Sequence, residues 1–193
     1  MSDKATLRAR MRALRKSAAD ANADAARRAA AHLAAAPLRG VLEGGGEGAR
    51  TVALYWPMGS EMDTRPLAEA LEAMSHDLAL PVVEARAEPM VFRRWRLGDP
   101  LELDMAGCPA PLPLAAEVVP DIIMVPLLAF DARGYRLGQG GGYYDRTLAH
   151  LRAVRQPVAI GVAYGAQQVE AVPVEPFDQR LDGILTEDGY RAF

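Results

Sequence analysis

From residue 51 onward the chain alternates short apolar, β-rich runs with stretches of helical spacing, the order of an α/β domain built on a largely parallel sheet. The runs cover residues 51–56, 78–83, 121–126, 157–163 and 183–186. Several are apolar without alternation, as strands become when helices cover both faces, so a three-layer sandwich is expected. Residues 89–97 mix charged with apolar residues and read as an edge strand. Helices are expected at 64–75, with Thr64 as candidate cap and Pro66 in the first turn, and at 143–153. Residues 98–120 carry five prolines and read as an extended loop.

Ahead of this region the pattern is helical. Leu7, Met11 and Leu14 fall at i, i+4 and i+7, one apolar stripe of a helix over 3–17, with Lys4, Arg8, Arg12, Arg15 and Lys16 around it and Ser2 or Asp3 as cap. Residues 20–36 are rich enough in alanine to predict a second helix ending before Pro37, followed by a flexible glycine connection at 44–48. There is no internal repeat and no second core, so the helical N-terminus is expected to pack on the same sheet in a single domain, 1–193.

Composition narrows the function. With 193 residues, 50% apolar and 24% charged, the chain has the make-up of an ordinary soluble protein. A net charge of −3 supplies no global field for a polyanion, so no nucleic-acid partner is expected. The single Cys108 excludes an intramolecular disulfide and fits a reducing compartment, with the cytoplasm as default. The first 17 residues lack the apolar core of a secretory signal, and the longest apolar stretches, 52–56 and 122–130, fall far short of the ~20 residues of a membrane span. A soluble monomer away from membranes is the expectation.

The most informative segment is residues 134–146, with glycines at 134, 138, 140, 141 and 142, set between a buried strand and a helix. Such glycine density costs chain entropy, and makes sense where backbone amides must approach a ligand closely. A helix N-terminus just beyond adds partial positive charge, so phosphate is the natural ligand, with Arg136 and Arg146 strengthening the site. The alternative, a long surface turn, needs one or two glycines rather than five. The P-loop pattern is absent because no lysine follows a glycine, and the dinucleotide fingerprint fails because its third glycine would fall on Tyr143. His32, His76 and His150 lack metal-ligand spacing, and Ser60 lacks the surroundings of a nucleophile elbow.

Carboxylates and cations remain, the materials of a magnesium-assisted phosphoryl transfer. Asp145 and Asp182 are candidate metal ligands, the first reading equally as a helix-start residue and the second as a plain turn residue. Lys4 and Arg8, at i and i+4, either reach a nucleotide or form a solvated basic face. Glu61 follows the first strand at the kind of connection where ligands gather, and nearby Trp56, Met58 and Met62 offer apolar surface to a flat ring or belong to the core.

Residues 136–145 resemble the Arg-Leu-Gly-x-Gly-x-Gly-Tyr-Tyr-Asp signature of the 5-formyltetrahydrofolate cyclo-ligase family, and segments 4–8, 55–64 and 180–187 resemble that family in the same order. The resemblance spans nearly the whole chain. It implies a Rossmann-like fold and ATP bound by Lys4, Arg8 and the loop residues Gly134, Tyr135, Arg136, Leu137, Gly138, Gln139, Gly140, Gly141, Gly142 and Tyr143. It also implies that Arg136, with Lys4, faces the transferring phosphate, that Asp145 and Asp182 hold Mg2+, and that Glu61 binds 5-formyltetrahydrofolate, with Trp56 and Tyr143 on the pterin side.

The reaction implied is ATP-dependent closure of that folate to 5,10-methenyltetrahydrofolate through a phosphorylated formyl group. The chain departs from the family at Phe177, where many relatives carry His, and Gln139 and Gly141 stand where animal members often carry cations. Two other readings remain open: a non-catalytic relative that binds nucleotide or folate, and another ATP-dependent phosphotransferase acting on a small anion.

Overall fold

The computed structural model describes residues 4–35, 37–44 and 49–193. The expected caps Ser2 and Asp3, and most of the glycine connection at 44–48, lie outside the described residues. Helices α1 (Lys4–Ala21), α2 (Ala25–Ala31) and α3 (Leu38–Glu43) precede strand β1 (Thr51–Ala53) and helix α4 (Arg65–Ala73). Strands β2 (Asp77–Val82), β3 (Val91–Arg94), β4 (Leu101–Leu103), β5 (Pro109–Pro111), β6 (Ile122–Pro126), β7 (Ala129–Phe130) and β8 (Arg136–Leu137) follow. Helix α5 (Tyr143–Arg152) then leads to β9 (Val158–Val162), β10 (Gly183–Thr186) and β11 (Gly189–Ala192).

The central sheet has seven strands in the order β11-β10-β9-β6-β1-β2-β3. β1, β2, β6, β9 and β10 run parallel, in registers such as Thr51 with Asp77 and Met124 with Ile160, while β3 and β11 are antiparallel edges. The five apolar runs of the sequence are these five parallel strands, and the mixed run at 89–97 contains the edge strand β3. Alternate residues feed two cores. Val52, Ile122, Met124 and Ile160 pack with Leu33, Leu67 and Leu71 from the helices on one face, and Ala53, Ile123, Val125 and Ala159 pack with Leu148 and Leu151 of α5 on the other. Both faces are covered, which is why these strands read as unbroken apolar runs.

Three local expectations are corrected. Residues 98–120 are not merely a loop, since β4 and β5 pair in an antiparallel hairpin. Its register puts Ala110 opposite Glu102, with Pro109 and Pro111 on either side, and a two-stranded ribbon tolerates these prolines because each strand has only one partner to donate to. The helix expected over 20–36 is interrupted: α1 continues to Ala21, the Asn22 side-chain amide donates to the Ala18 carbonyl at 2.9 Å, and α2 starts at Ala25. Thr64 holds the N-cap position of α4 but does not cap it, because its hydroxyl donates instead to the Tyr55 carbonyl at 2.6 Å. The C-terminal strand β11, after a turn through Gly189 at φ 142°, carried no readable signal.

The topology also fixes where a ligand can sit. From β1 the chain moves outward to β2 and β3, then returns to β6 on the other side of β1. The loops leaving β1 and β6 therefore diverge, opening a crevice at the carboxyl ends of the strands, the usual ligand position in an open α/β sheet. Leu7 and Met11 of α1 pack against Leu128, Ala129, Leu137 and Val172, which lays that helix across the same end.

Candidate active site

A cleft of about 460 Å³ occupies this crevice. Tyr55, Trp56 and Glu61 reach it from beyond β1, Pro126 and Leu127 from the end of β6, and Lys4 and Arg8 from α1. Cys108 and Asp104 of the β4–β5 hairpin face it from the far side, and the glycine loop between β8 and α5 forms its floor.

The loop is shaped by two positive-φ glycines. Gly140 has φ 107° and Gly142, the N-cap of α5, has φ 66°. The Gly140 conformation is one that side-chain-bearing residues rarely adopt, and a β-carbon there would stand 3.5 Å from the Arg8 guanidinium carbon. From α1, Arg8 Nε donates to the Gly138 carbonyl at 3.0 Å and Arg12 Nε to Gln139 Oε1 at 3.0 Å. These bonds tie α1 to one side of the loop, through a backbone carbonyl and a side-chain amide, and α5 presents its positive N-terminal end beside the cradle.

Arg136 and Asp145 close the base of the loop. Arg136 is 8% exposed; one guanidinium nitrogen donates to Asp145 Oδ1 at 2.8 Å and another to the Gln179 carbonyl. Burial pushes the Arg136 guanidinium down from its ordinary value, against the attraction of Asp145, yet an arginine stays charged. Lys4 bridges Asp178 at 3.0 Å and Glu175 at 3.1 Å at the rim. Burial alone would lower the Lys4 ammonium, and its hydrogen bonds to Asp178 and Glu175 outweigh that and hold it above the usual value.

The opposite wall is built on Glu61. Its Oε1 accepts from Arg15 at 3.2 Å and its Oε2 from the Met58 backbone N–H at 3.0 Å, while Trp56 packs edge-on to Trp95 with ring centroids 6.0 Å apart. Burial, reinforced by the charges of Asp104 and Glu61, pushes the Cys108 thiol up, which disfavours its thiolate. Tyr144 sits between the two walls: burial and then Glu61 raise its phenol far above the ordinary value, with Arg136 opposing.

The structure thus brings Lys4, Arg8, Trp56, Glu61, Arg136, Leu137, Gly138, Gln139, Gly140, Gly141, Gly142, Tyr143 and Asp145 around one cleft. Three expectations about the cleft lining are corrected. Gly134 and Tyr135 belong to the turn joining β7 and β8 and do not line the cleft; Tyr135 lies between the guanidinium groups of Arg133 and Arg180, at 5.2 and 5.8 Å. Arg146 turns back onto its own loop, donating to the Gly141 carbonyl at 2.9 Å and stacking over Tyr143 at 5.0 Å.

Asp182 stands apart from Asp145. It precedes β10 at the amino end of the parallel strands, where Oδ2 accepts from Arg152 at 2.9 Å and from the Ala159 backbone N–H at 2.8 Å. Arg152 is in the last turn of α5 and Asp145 in its first, about 10 Å away along the helix. The two aspartates thus meet opposite ends of α5, Asp145 directly in its first turn and Asp182 through Arg152 in its last.

Sequence reasoning missed Arg15, Glu175, Tyr144 and Cys108 as cleft or near-cleft residues, and noted Asp178 only through its neighbour Phe177. For Arg15 a signal existed. Lys4, Arg8, Arg12 and Arg15 recur along one side of α1, and each meets a different part of the site.

A crevice at a switch point, a glycine cradle at a helix N-terminus and a basic helix crossing it define an α/β protein that binds a phosphorylated nucleotide beside a second, flatter substrate. The chain belongs to the 5-formyltetrahydrofolate cyclo-ligase family, whose model matches residues 1–187. The 5-formyltetrahydrofolate cyclo-ligase of Haemophilus influenzae is 35% identical over 142 residues, covering 71% of this chain and 75% of that protein. That of Mycolicibacterium smegmatis is 36% identical over 159 residues, 79% of this chain and 81% of its own. Among solved structures, the 5,10-methenyltetrahydrofolate synthetase of Aquifex aeolicus superposes with a TM-score of 0.72 at 28% identity, covering 98% of this chain and 92% of that one. The 5,10-methenyltetrahydrofolate synthetase of Mycoplasma pneumoniae gives 0.71 at 25%, covering 96% and 99%.

Proposed function

We propose that this chain catalyses the ATP-dependent closure of 5-formyltetrahydrofolate to 5,10-methenyltetrahydrofolate, releasing ADP and phosphate. Family membership supplies the reaction; the observation that carries it to these residues is the meeting, in one cleft, of the glycine cradle with Arg136 on one side and Glu61 with Trp56 on the other. The backbone amides of residues 138–142, with Lys4 and Arg8, hold the triphosphate. Glu61 accepts N–H groups of the pterin, and Trp56 and Tyr143 give its ring apolar contact.

The formyl oxygen on N5 attacks the γ-phosphorus and the bond to ADP breaks, leaving an iminium carbon bearing a phosphate. N10 then adds to that carbon, loses its proton, and the carbon–oxygen bond breaks to release inorganic phosphate. Arg136 offsets the charge on the transferring phosphoryl group, while the two walls hold N5 and the γ-phosphate in line. The bound conformation also brings N10 within reach, so orientation is a large share of the catalysis.

Magnesium fits the donors present. Asp145 and Asp178 both line the cleft, and among the described residues no cluster of three His, Cys, Asp or Glu side chains is placed to hold a metal by itself. An ion held by one or two carboxylates plus substrate phosphates suits that set. When bound, it neutralises charge on the phosphate oxygens. In the same reading the enzyme is a monomer of the cytoplasm with no nucleic-acid partner, in keeping with its net charge of −3.

The test is to mix purified protein with (6S)-5-formyltetrahydrofolate, ATP and magnesium and to follow the near-ultraviolet absorbance of the methenyl product. ATP-dependent product formation supports the reading. ATP binding without product points to a non-catalytic relative, and ATP consumption only with another small anion points to a different phosphotransferase.

A further inference from the structure

We infer that Arg15 is the positioning residue of the folate wall: it fixes Glu61 and ties the loop after β1 to the loop after β6, setting the geometry in which the pterin is read. The inference rests on the reading of Glu61 as a folate contact. Arg15 is an arginine inside a protein, its side chain 7% exposed and that of Glu61 10%. Its Nε donates to Ser60 Oγ at 3.1 Å, one Nη to Glu61 Oε1 at 3.2 Å, and the same Nη lies 3.5 Å from the Leu127 carbonyl. Ser60 and Glu61 belong to the loop leaving β1 and Leu127 to the loop leaving β6. One guanidinium therefore spans the two loops whose divergence makes the crevice.

Stability does not account for such a pair. Taking both charges out of water costs about as much as their attraction returns, and apolar residues of similar size commonly serve a core as well or better. A buried ion pair earns its place by fixing direction, and this one fixes a carboxylate that faces the cleft. The second oxygen of Glu61 is held by the Met58 N–H, so neither end of the carboxylate is free to swing. What remains for a ligand is the unshared acceptor capacity of a carboxylate in one orientation, suited to the planar N–H edge of a pterin.

Arginine is needed for its shape. Two donors of the planar fork serve Ser60 and Glu61 together, whereas a lysine in the same place offers charge without the fork. The stem belongs to α1, whose Lys4 and Arg8 meet the rim and the glycine loop on the nucleotide side. The same rigid helix thus carries the groups that hold the two substrates' walls, and Arg15 is its contact with the folate side.

The test is steady-state kinetics on the full chain with Arg15→Gln, Arg15→Lys, Glu61→Gln and the Arg15→Gln/Glu61→Gln double variant, with melting temperatures for each. Arg15→Gln and Glu61→Gln are each expected to raise the KM for 5-formyltetrahydrofolate about tenfold or more while the KM for ATP moves less than about twofold. The double variant should be no worse than the worse single, and Arg15→Lys should fall between wild type and Arg15→Gln. Multiplying effects in the double variant, an equal rise in both KM values, or a lowered melting temperature with unchanged KM for folate would overturn the role. If Arg15→Gln does not fold, Arg15→Lys decides: a rise confined to the folate KM supports positioning, and an unchanged folate KM overturns it. An unchanged folate KM in Glu61→Gln sinks the reading of Glu61 itself, separately from the role of Arg15.

Discussion

Arg136 and Asp145, nine residues apart, are joined at 2.8 Å across the base of the glycine loop, and Asp145 Oδ1 also accepts the Gln179 backbone N–H at 2.9 Å. The ion pair draws the two ends of the cradle together. On the proposed mechanism Arg136 faces the transferring phosphate, so Arg136→Ala is expected to lower kcat by about 100-fold or more. Rapid-mixing measurement of ATP consumption with saturating folate checks it. Asp145→Ala leaves Arg136 buried with one partner fewer, and unfolding in urea should show a loss on the order of 2 kcal/mol.

Gly138 separates binding from folding. A β-carbon there meets nothing within 4 Å, unlike one at Gly142, which would lie 2.6 Å from Arg146. Gly138→Ala should therefore leave the melting temperature within about 2 °C of wild type. If the proposed cradle holds the phosphates, the added methyl group enters their space and the KM for ATP should rise about tenfold. A variant with normal ATP kinetics would remove Gly138 from the cradle.

Asp182 sits at the amino ends of β9 and β10, held by Arg152 and the Ala159 N–H, and we propose that its role there is structural. Asp182→Ala takes an acceptor from the Ala159 N–H and a partner from Arg152, and should cost about 1–2 kcal/mol in a urea titration. The magnesium concentration for half-maximal activity should not change, as it would if Asp182 were a ligand.

Asp131 organises the turn that delivers Arg136. It is fully buried, and its oxygens accept from the backbone N–H groups of Arg133, Tyr135 and Val172 and from the Arg133 side chain. Burial alone would raise its carboxyl; the Arg133 side chain and these backbone donors outweigh it and hold it below the usual 3.8. A carboxyl lowered in the folded state contributes stability above its unfolded value and loses it as pH falls through the folded one. Stability should thus drop as pH falls through and below about 4, and Asp131→Asn should flatten that part of the profile. An Asn variant with the wild-type acid slope would contradict this.

The parallel strands were legible because burial on both faces leaves little but apolar residues in them, and the glycine loop because no ordinary turn needs such density. The β4–β5 hairpin was not, since Pro109 and Pro111 argue against a strand unless its register is known. The separation of Asp182 from Asp145 was not legible either. Both flank strands or helices in ways that suit a ligand, and only the course of α5 shows that they meet its opposite ends. For Arg15 the basic series along α1 was legible but its burial was not, since that depends on loops 45 residues and more away in the chain.

The central claim is that this cleft passes the γ-phosphoryl group of ATP to the formyl oxygen of the folate before the ring closes. The direct measurement is to prepare 5-formyltetrahydrofolate with oxygen-18 in the formyl group, turn it over with unlabelled ATP in unlabelled water, and analyse the released phosphate by mass spectrometry. The mechanism predicts one label in every phosphate released. Unlabelled phosphate, with the formyl oxygen appearing in water, would contradict it.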